Sequence, residues 1–80
     1  MSIRSPRSKQ ARLASMLKEA RVRAGLRQVD VADRLGQPQS FVSKYESGER
    51  ALTLFELEAV CKALGLRLAD FVRRYEAASA

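Results

Sequence analysis

Few side chains in this chain can do covalent chemistry. Its 80 residues include no histidine and one cysteine, Cys61. Mixed cysteine–histidine metal ligation, an internal disulfide and a histidine-activated nucleophile are therefore excluded. Cys61 falls in an apolar helical register, which predicts a buried packing thiol. Glu19, Asp30, Asp33 and Glu49 lie near lysines and arginines, with nothing to raise a carboxyl pKa toward neutrality as acid–base catalysis requires. The expectation is therefore no enzyme, no cofactor and no metal. Hydrogen bonding and charge remain. Gln39, Ser40, Ser43 and Lys44 are short or flexible hydrogen-bonders gathered in one segment. The formal net charge is +6, and its excess is local: residues 1–27 hold eight basic side chains against a single acid, Glu19. That footprint fits a polyanionic partner, although charge alone does not separate DNA from RNA.

Four glycines mark the elements that must position these groups. Each of Gly25, Gly36, Gly48 and Gly65 follows a run of apolar residues spaced three and four apart. Glycine is favoured just past a helix end because the chain there turns left-handed. A fifth pattern follows in Leu68, Phe71, Val72 and Tyr75. The spacing predicts helices over 9–24, 28–35, 39–46, 53–64 and 68–77, and nothing alternates as a strand would. Thr53 and Glu56 form a capping box for the fourth helix. Pro38 suits the first turn of the third. The second and fifth helices start near Arg27 and Arg67, which are poor caps, although Asp30 and Asp70 suit positive helix ends. Residues 1–8, with Pro6 and three serines, read as a flexible basic arm, and 9–80 as one all-α domain. No apolar run approaches the ~20 residues of a membrane span, and the start lacks the apolar stretch of a signal peptide. A cytoplasmic protein without membrane contact is expected.

From Gln28 to Glu46 two short helices meet at a tight turn containing Gly36, with Ala32 small where they approach. Val31, Leu35, Val42 and Tyr45 face a shared core, joined by Leu57, Val60 and Leu64. Two such helices with a short glycine-containing turn make a helix-turn-helix, whose second helix enters the DNA major groove. The segments Leu17 to Gln28, Val31 to Gly36, Gln39 to Arg50 and Leu57 to Gly65 together resemble the lambda-repressor-like (Cro/XRE-type) helix-turn-helix family. The resemblance spans about residues 11–73. It implies a compact five-helix domain with a central helix-turn-helix.

The resemblance also implies roles. Gln39, Ser40, Ser43 and Lys44 match the groove-facing positions of the recognition helix. Gln39 suits an adenine, Lys44 a guanine, and the serines either. Gln28 matches a phosphate-contacting glutamine. Ser47, Gly48, Glu49 and Arg50 match a loop that meets the DNA backbone through N–H groups and a basic side chain. Arg21 and Glu46 match a structural pair joining the first helix to the end of the third. One departure stands out: the family usually caps the second helix with threonine or serine, and this chain has Arg27. A lost cap typically costs ~1 kcal/mol. Arg27 is expected to offset it on DNA by reaching a phosphate.

The function expected is a DNA-binding transcription regulator, a repressor acting as a homodimer on a palindromic operator. Its dimer surface would draw on Phe55, Leu68, Val72 and Tyr75, the spare apolar residues of the last two helices. The alternative is an antitoxin-type module that neutralises a toxin partner and autoregulates its operon.

Overall fold

The computed structural model describes residues 6–79, and the side chains of 8–78. Among them all regular structure is helical: α1 (Pro6–Arg23), α2 (Gln28–Leu35), α3 (Gln39–Glu46), α4 (Leu54–Ala63) and α5 (Leu68–Ser79). α2 and α3 coincide with the expected spans. α1 begins three residues earlier than expected, because Pro6 fits a first turn that has no use for its missing N–H. The other residues assigned to the arm, 1–5, lie outside the described residues. α5 runs two residues further than expected, through Ala78, a good helix former, to Ser79. Pro38 stands at the N-cap of α3, with φ −69° and ψ 156°, rather than inside its first turn.

Gly36 shows why the turn between α2 and α3 is so short. Its φ of +64° is left-handed, which costs glycine little and other residues more. The chain reverses there with the Gln37 N–H donating to the Ala32 carbonyl at 3.0 Å. Orphan carbonyls at the end of α2 are thus satisfied within the turn.

α2 packs on both α3 and α4, α1 packs on α3, and α4 packs on α5. Between them lies one apolar core of Leu17, Val31, Ala32, Val42, Tyr45, Val60, Cys61, Leu64 and Phe71. Leu35 and Leu57 reach it from half-buried positions. The Cys61 thiol is fully enclosed, and burial pushes its pKa up to about 11. It is a packing group rather than a nucleophile. No described helix is long and apolar enough to cross a membrane.

The weak cap at Arg27 has a local remedy. An arginine side chain cannot accept the orphan N–H groups of α2. Asp30 acts instead, taking the Arg27 backbone N–H on Oδ2 at 2.8 Å. The Arg27 guanidinium donates back to the same carboxylate at 2.9 and 3.1 Å. That guanidinium, and then the backbone N–H, hold the Asp30 pKa down at about 2. In α4 the expected capping box is complete: the Glu56 N–H donates to Thr53 Oγ1 at 3.1 Å, and the Thr53 N–H to Glu56 Oε1 at 2.8 Å.

Candidate nucleic-acid interface

α3 divides into two faces. Val42 and Tyr45 are buried, while Gln39, Ser40, Ser43 and Lys44 are all exposed. The spacing is that of a helix with one side in the core and a polar row on the other. Lys44 has no ion partner among the described residues, whereas Arg21, Arg23, Arg27, Arg50 and Arg73 are each paired with a carboxylate.

A partly buried ion pair holds this row in place. Arg21 Nε donates to Glu46 Oε2 at 2.7 Å and Nη2 to Oε1 at 3.1 Å. A third bond runs from Arg21 Nη1 to the Leu26 carbonyl at 2.8 Å. Only 3% of the Glu46 side chain and 12% of the Arg21 side chain is exposed. Enclosing charge is tolerable when it is well hydrogen-bonded, and here each of the three guanidinium nitrogens donates once. The Glu46 bond raises the Arg21 pKa further, so this cation never titrates in the working range.

Gln28 carries the connection outward. Its Nε2 donates to Glu46 Oε1 at 3.0 Å, and its Oε1 accepts from Gln39 Nε2 at 3.2 Å. The first residue of α2 therefore links the last residue of α3 to the first. Gln39 keeps one amide hydrogen and its carbonyl oxygen without a partner among the described residues, a donor and an acceptor side by side. The sequence pointed to Gln28 and Gln39 separately. Their link spans a turn, and only the adjacency of the two helix N-termini would have signalled it.

The loop after α3 differs from the expectation for it. Its N–H groups are turned inward: Ser47 to the Ser43 carbonyl, Gly48 to that of Tyr45, and Glu49 and Arg50 both to that of Lys44, at 3.0–3.2 Å. They close the end of α3 and leave no backbone donor for a phosphate. The Ser47 hydroxyl donates to the Lys44 carbonyl at 2.9 Å. The loop is also tied to α1, where Gln10 Nε2 donates to the Gly48 carbonyl at 2.6 Å. Any contact made by this loop falls to the Arg50 side chain, and to the Ser47 hydroxyl only if it turns away from the Lys44 carbonyl.

Arg50 is itself engaged. Its Nη2 meets Glu56 Oε2 at 2.6 Å, and its guanidinium carbon lies 4.9 Å from the centre of the Phe41 ring. Phe41 stands edge-on to Tyr45, with centroids 5.6 Å apart. The Thr53 N–H first, and then Arg50, hold the Glu56 carboxyl below its ordinary range. Neither contact of Arg50 was legible in the sequence.

The apolar residues expected at a dimer surface differ in exposure. Phe55 is 80% exposed, whereas Leu68, Val72 and Tyr75 are half-buried. Val72 and Tyr75 line a groove with Leu13, Leu57 and Phe71. Leu54, 65% exposed, was not anticipated.

Comparison with known proteins bears on this geometry. Residues 17–71 match the model of the helix-turn-helix family. None of the curated proteins matches the chain. Among solved structures, an XRE-family-like protein from Pseudomonas syringae pv. tomato str. DC3000 is 38% identical, with a TM-score of 0.84 over 91% of this chain and 89% of that one. The restriction-modification controller protein C.AhdI from Aeromonas hydrophila is 25% identical, with a TM-score of 0.75 over 80% of this chain and 97% of that one. The controller protein C.Esp1396I, solved as a tetramer with its natural 35-base-pair operator, is 24% identical. Its TM-score is 0.78, over 84% of this chain and 88% of that one.

Proposed function

This chain belongs to the XRE-type helix-turn-helix family of DNA-binding transcription regulators, and we propose that it acts as a homodimeric repressor on a palindromic operator. The observation that carries the reading is the anchored polar row of α3. Gln39, Ser40, Ser43 and Lys44 are exposed, and the helix bearing them is fixed at both ends to the Arg21–Glu46 pair through Gln28. Hydrogen-bonding side chains presented by an anchored helix are what base reading in the major groove requires.

In this reading Gln39 offers its unpartnered donor and acceptor to an adenine and Lys44 its ammonium to a guanine, while the serines serve either base. Gln28, Arg27, the Ser47 hydroxyl and Arg50 meet phosphates and set the register. Binding alone is the activity, with no catalytic step and no cofactor. One recognition helix reaches only a few base pairs, so a second copy multiplies affinity and specificity. The exposed Phe55, with Leu68, Val72 and Tyr75, supplies the apolar surface for that copy. The assembly of C.Esp1396I on its operator supports this arrangement.

The test is selection from a randomised duplex library followed by sequencing. A palindromic consensus with half-site centres about 10 base pairs apart, or a multiple of that, is expected. An unenriched pool, with this chain captured by a protein partner instead, would overturn the reading.

A further inference from the structure

Glu56 does more than cap α4. One carboxylate oxygen takes the Thr53 N–H and the other takes the Arg50 guanidinium. The pair opens on a surface groove that it shares with Ser40, Phe41 and Lys44, so it lies beside the polar row of α3. The Arg50 side chain is 44% exposed and that of Glu56 28%, so the guanidinium can leave the carboxylate without unfolding anything. A phosphate approaching this groove meets a cation already engaged by an anion. Lys44, a few side chains away, has no such counter-charge among the described residues.

We propose that Glu56 is a specificity-determining residue, an internal counter-charge that withholds Arg50 from DNA until the polar row of α3 is seated on its operator. The inference rests on the DNA-regulator reading above. On unrelated DNA the complex is loose and mobile, and no phosphate is held at the groove well enough to displace Glu56. Arg50 then stays on its carboxylate and over Phe41, and it adds nothing to nonspecific affinity. On the operator the base contacts fix the register, a phosphate is held at the groove, and the guanidinium exchanges one anion for another. Its place over Phe41, a residue of α3 itself, keeps it at that position in the meantime. Nonspecific affinity is chiefly a count of phosphates neutralised, so withholding one cation lowers it selectively.

The test is a salt-series anisotropy titration of the full chain against its selected operator and a scrambled duplex. Glu56→Gln removes the charge but keeps an oxygen for the Thr53 N–H, and glutamine is accepted at this capping position. Affinity for the scrambled duplex should rise by about threefold, the scale of an exposed ion pair. Its salt dependence should steepen by about one ion per protomer. Operator affinity should change less, so the ratio of the two affinities falls. In an Arg50→Ala background the same substitution should change nothing. Thr53→Ala, which weakens the cap and leaves the ion pair, should lower the melting temperature without moving the ratio. An unchanged ratio in Glu56→Gln, an equal effect without Arg50, or the same fall in Thr53→Ala would each overturn the proposal. A wild-type chain that bound both duplexes alike would overturn the regulatory reading as well.

Discussion

Arg21 and Glu46, 25 residues apart in sequence, meet through two hydrogen bonds of 2.7 and 3.1 Å, and the carboxylate is almost wholly enclosed. The pair joins α1 to the C-terminal end of α3. Removing one partner leaves the other charge partly enclosed and uncompensated, a loss below the ~3–5 kcal/mol of a deeply buried pair. Glu46→Ala is expected to lower the melting temperature far more than Glu49→Ala, whose side chain is exposed. Thermal melts of the two variants under one buffer check this, and equal shifts would refute a stabilising role for the pair.

Asp30 should report the substitute cap of α2 through its own titration. Its folded pKa is about 2, below the ordinary 3.8. A depressed carboxyl pKa gives stability that is present above the unfolded value and lost as pH falls. The window is therefore about pH 3.8 down to 2, and this group makes no contribution to pH dependence near neutrality. Arg27→Ala deletes the largest cause of the shift but leaves the backbone N–H that supplies the next. The Asp30 midpoint, read by NMR, should move up without reaching the ordinary value. An unmoved midpoint would show that the guanidinium does not bind the carboxylate in solution.

The fold was legible in the sequence to the extent that glycine marks helix ends. α2 and α3 emerged with their observed bounds, because Gly36 and Gly48 stop them and Pro38 starts the second. α1 and α5 were set too short at their outer ends: Pro6 opens α1 but was assigned to the arm, and the alanine-rich end of α5 continues a helix without announcing it. The polar row of α3 came from the family resemblance, and its residues do interleave with the buried Val42 and Tyr45. What was not legible is who bonds to whom across a turn. Gln28 reaches both Glu46 and Gln39, and Arg50 reaches both Glu56 and Phe41. These contacts depend on which helix ends lie adjacent, and no local spacing encodes that. The inward turn of the N–H groups at 47–50 was missed for the same reason: the carbonyls at the end of α3 compete for them first.

Self-association is expected to depend on the apolar surface of α4 and α5. Val72 lies half-buried in a groove on α5, and Phe55 protrudes from the start of α4. A charge at either site should weaken the dimer while leaving the monomer folded, since neither belongs to the buried core. Sedimentation of Phe55→Asp and Val72→Asp should give the mass of one chain at concentrations where the wild type gives two, with unchanged helical circular dichroism. Wild-type sedimentation as a monomer at high concentration, with one chain per operator in titration, would contradict the symmetric assembly.

Base reading by α3 is the central claim, and a salt-series titration of Gln39→Ala, Lys44→Ala and Arg50→Ala against operator and scrambled duplex tests it most directly. Base contacts carry sequence information, whereas phosphate contacts mainly position the protein. Gln39→Ala and Lys44→Ala should each cost ~1–3 kcal/mol per half-site on the operator. Gln39→Ala should scarcely alter binding to scrambled DNA. Lys44 also attracts phosphate, so its loss on the operator must exceed its loss on the scrambled duplex. Arg50→Ala should make the salt dependence on the operator shallower by about one ion per half-site. The expected result is a fall in the ratio of the two affinities for both α3 variants. A ratio left unchanged by every substitution in that row would mean that α3 does not read DNA.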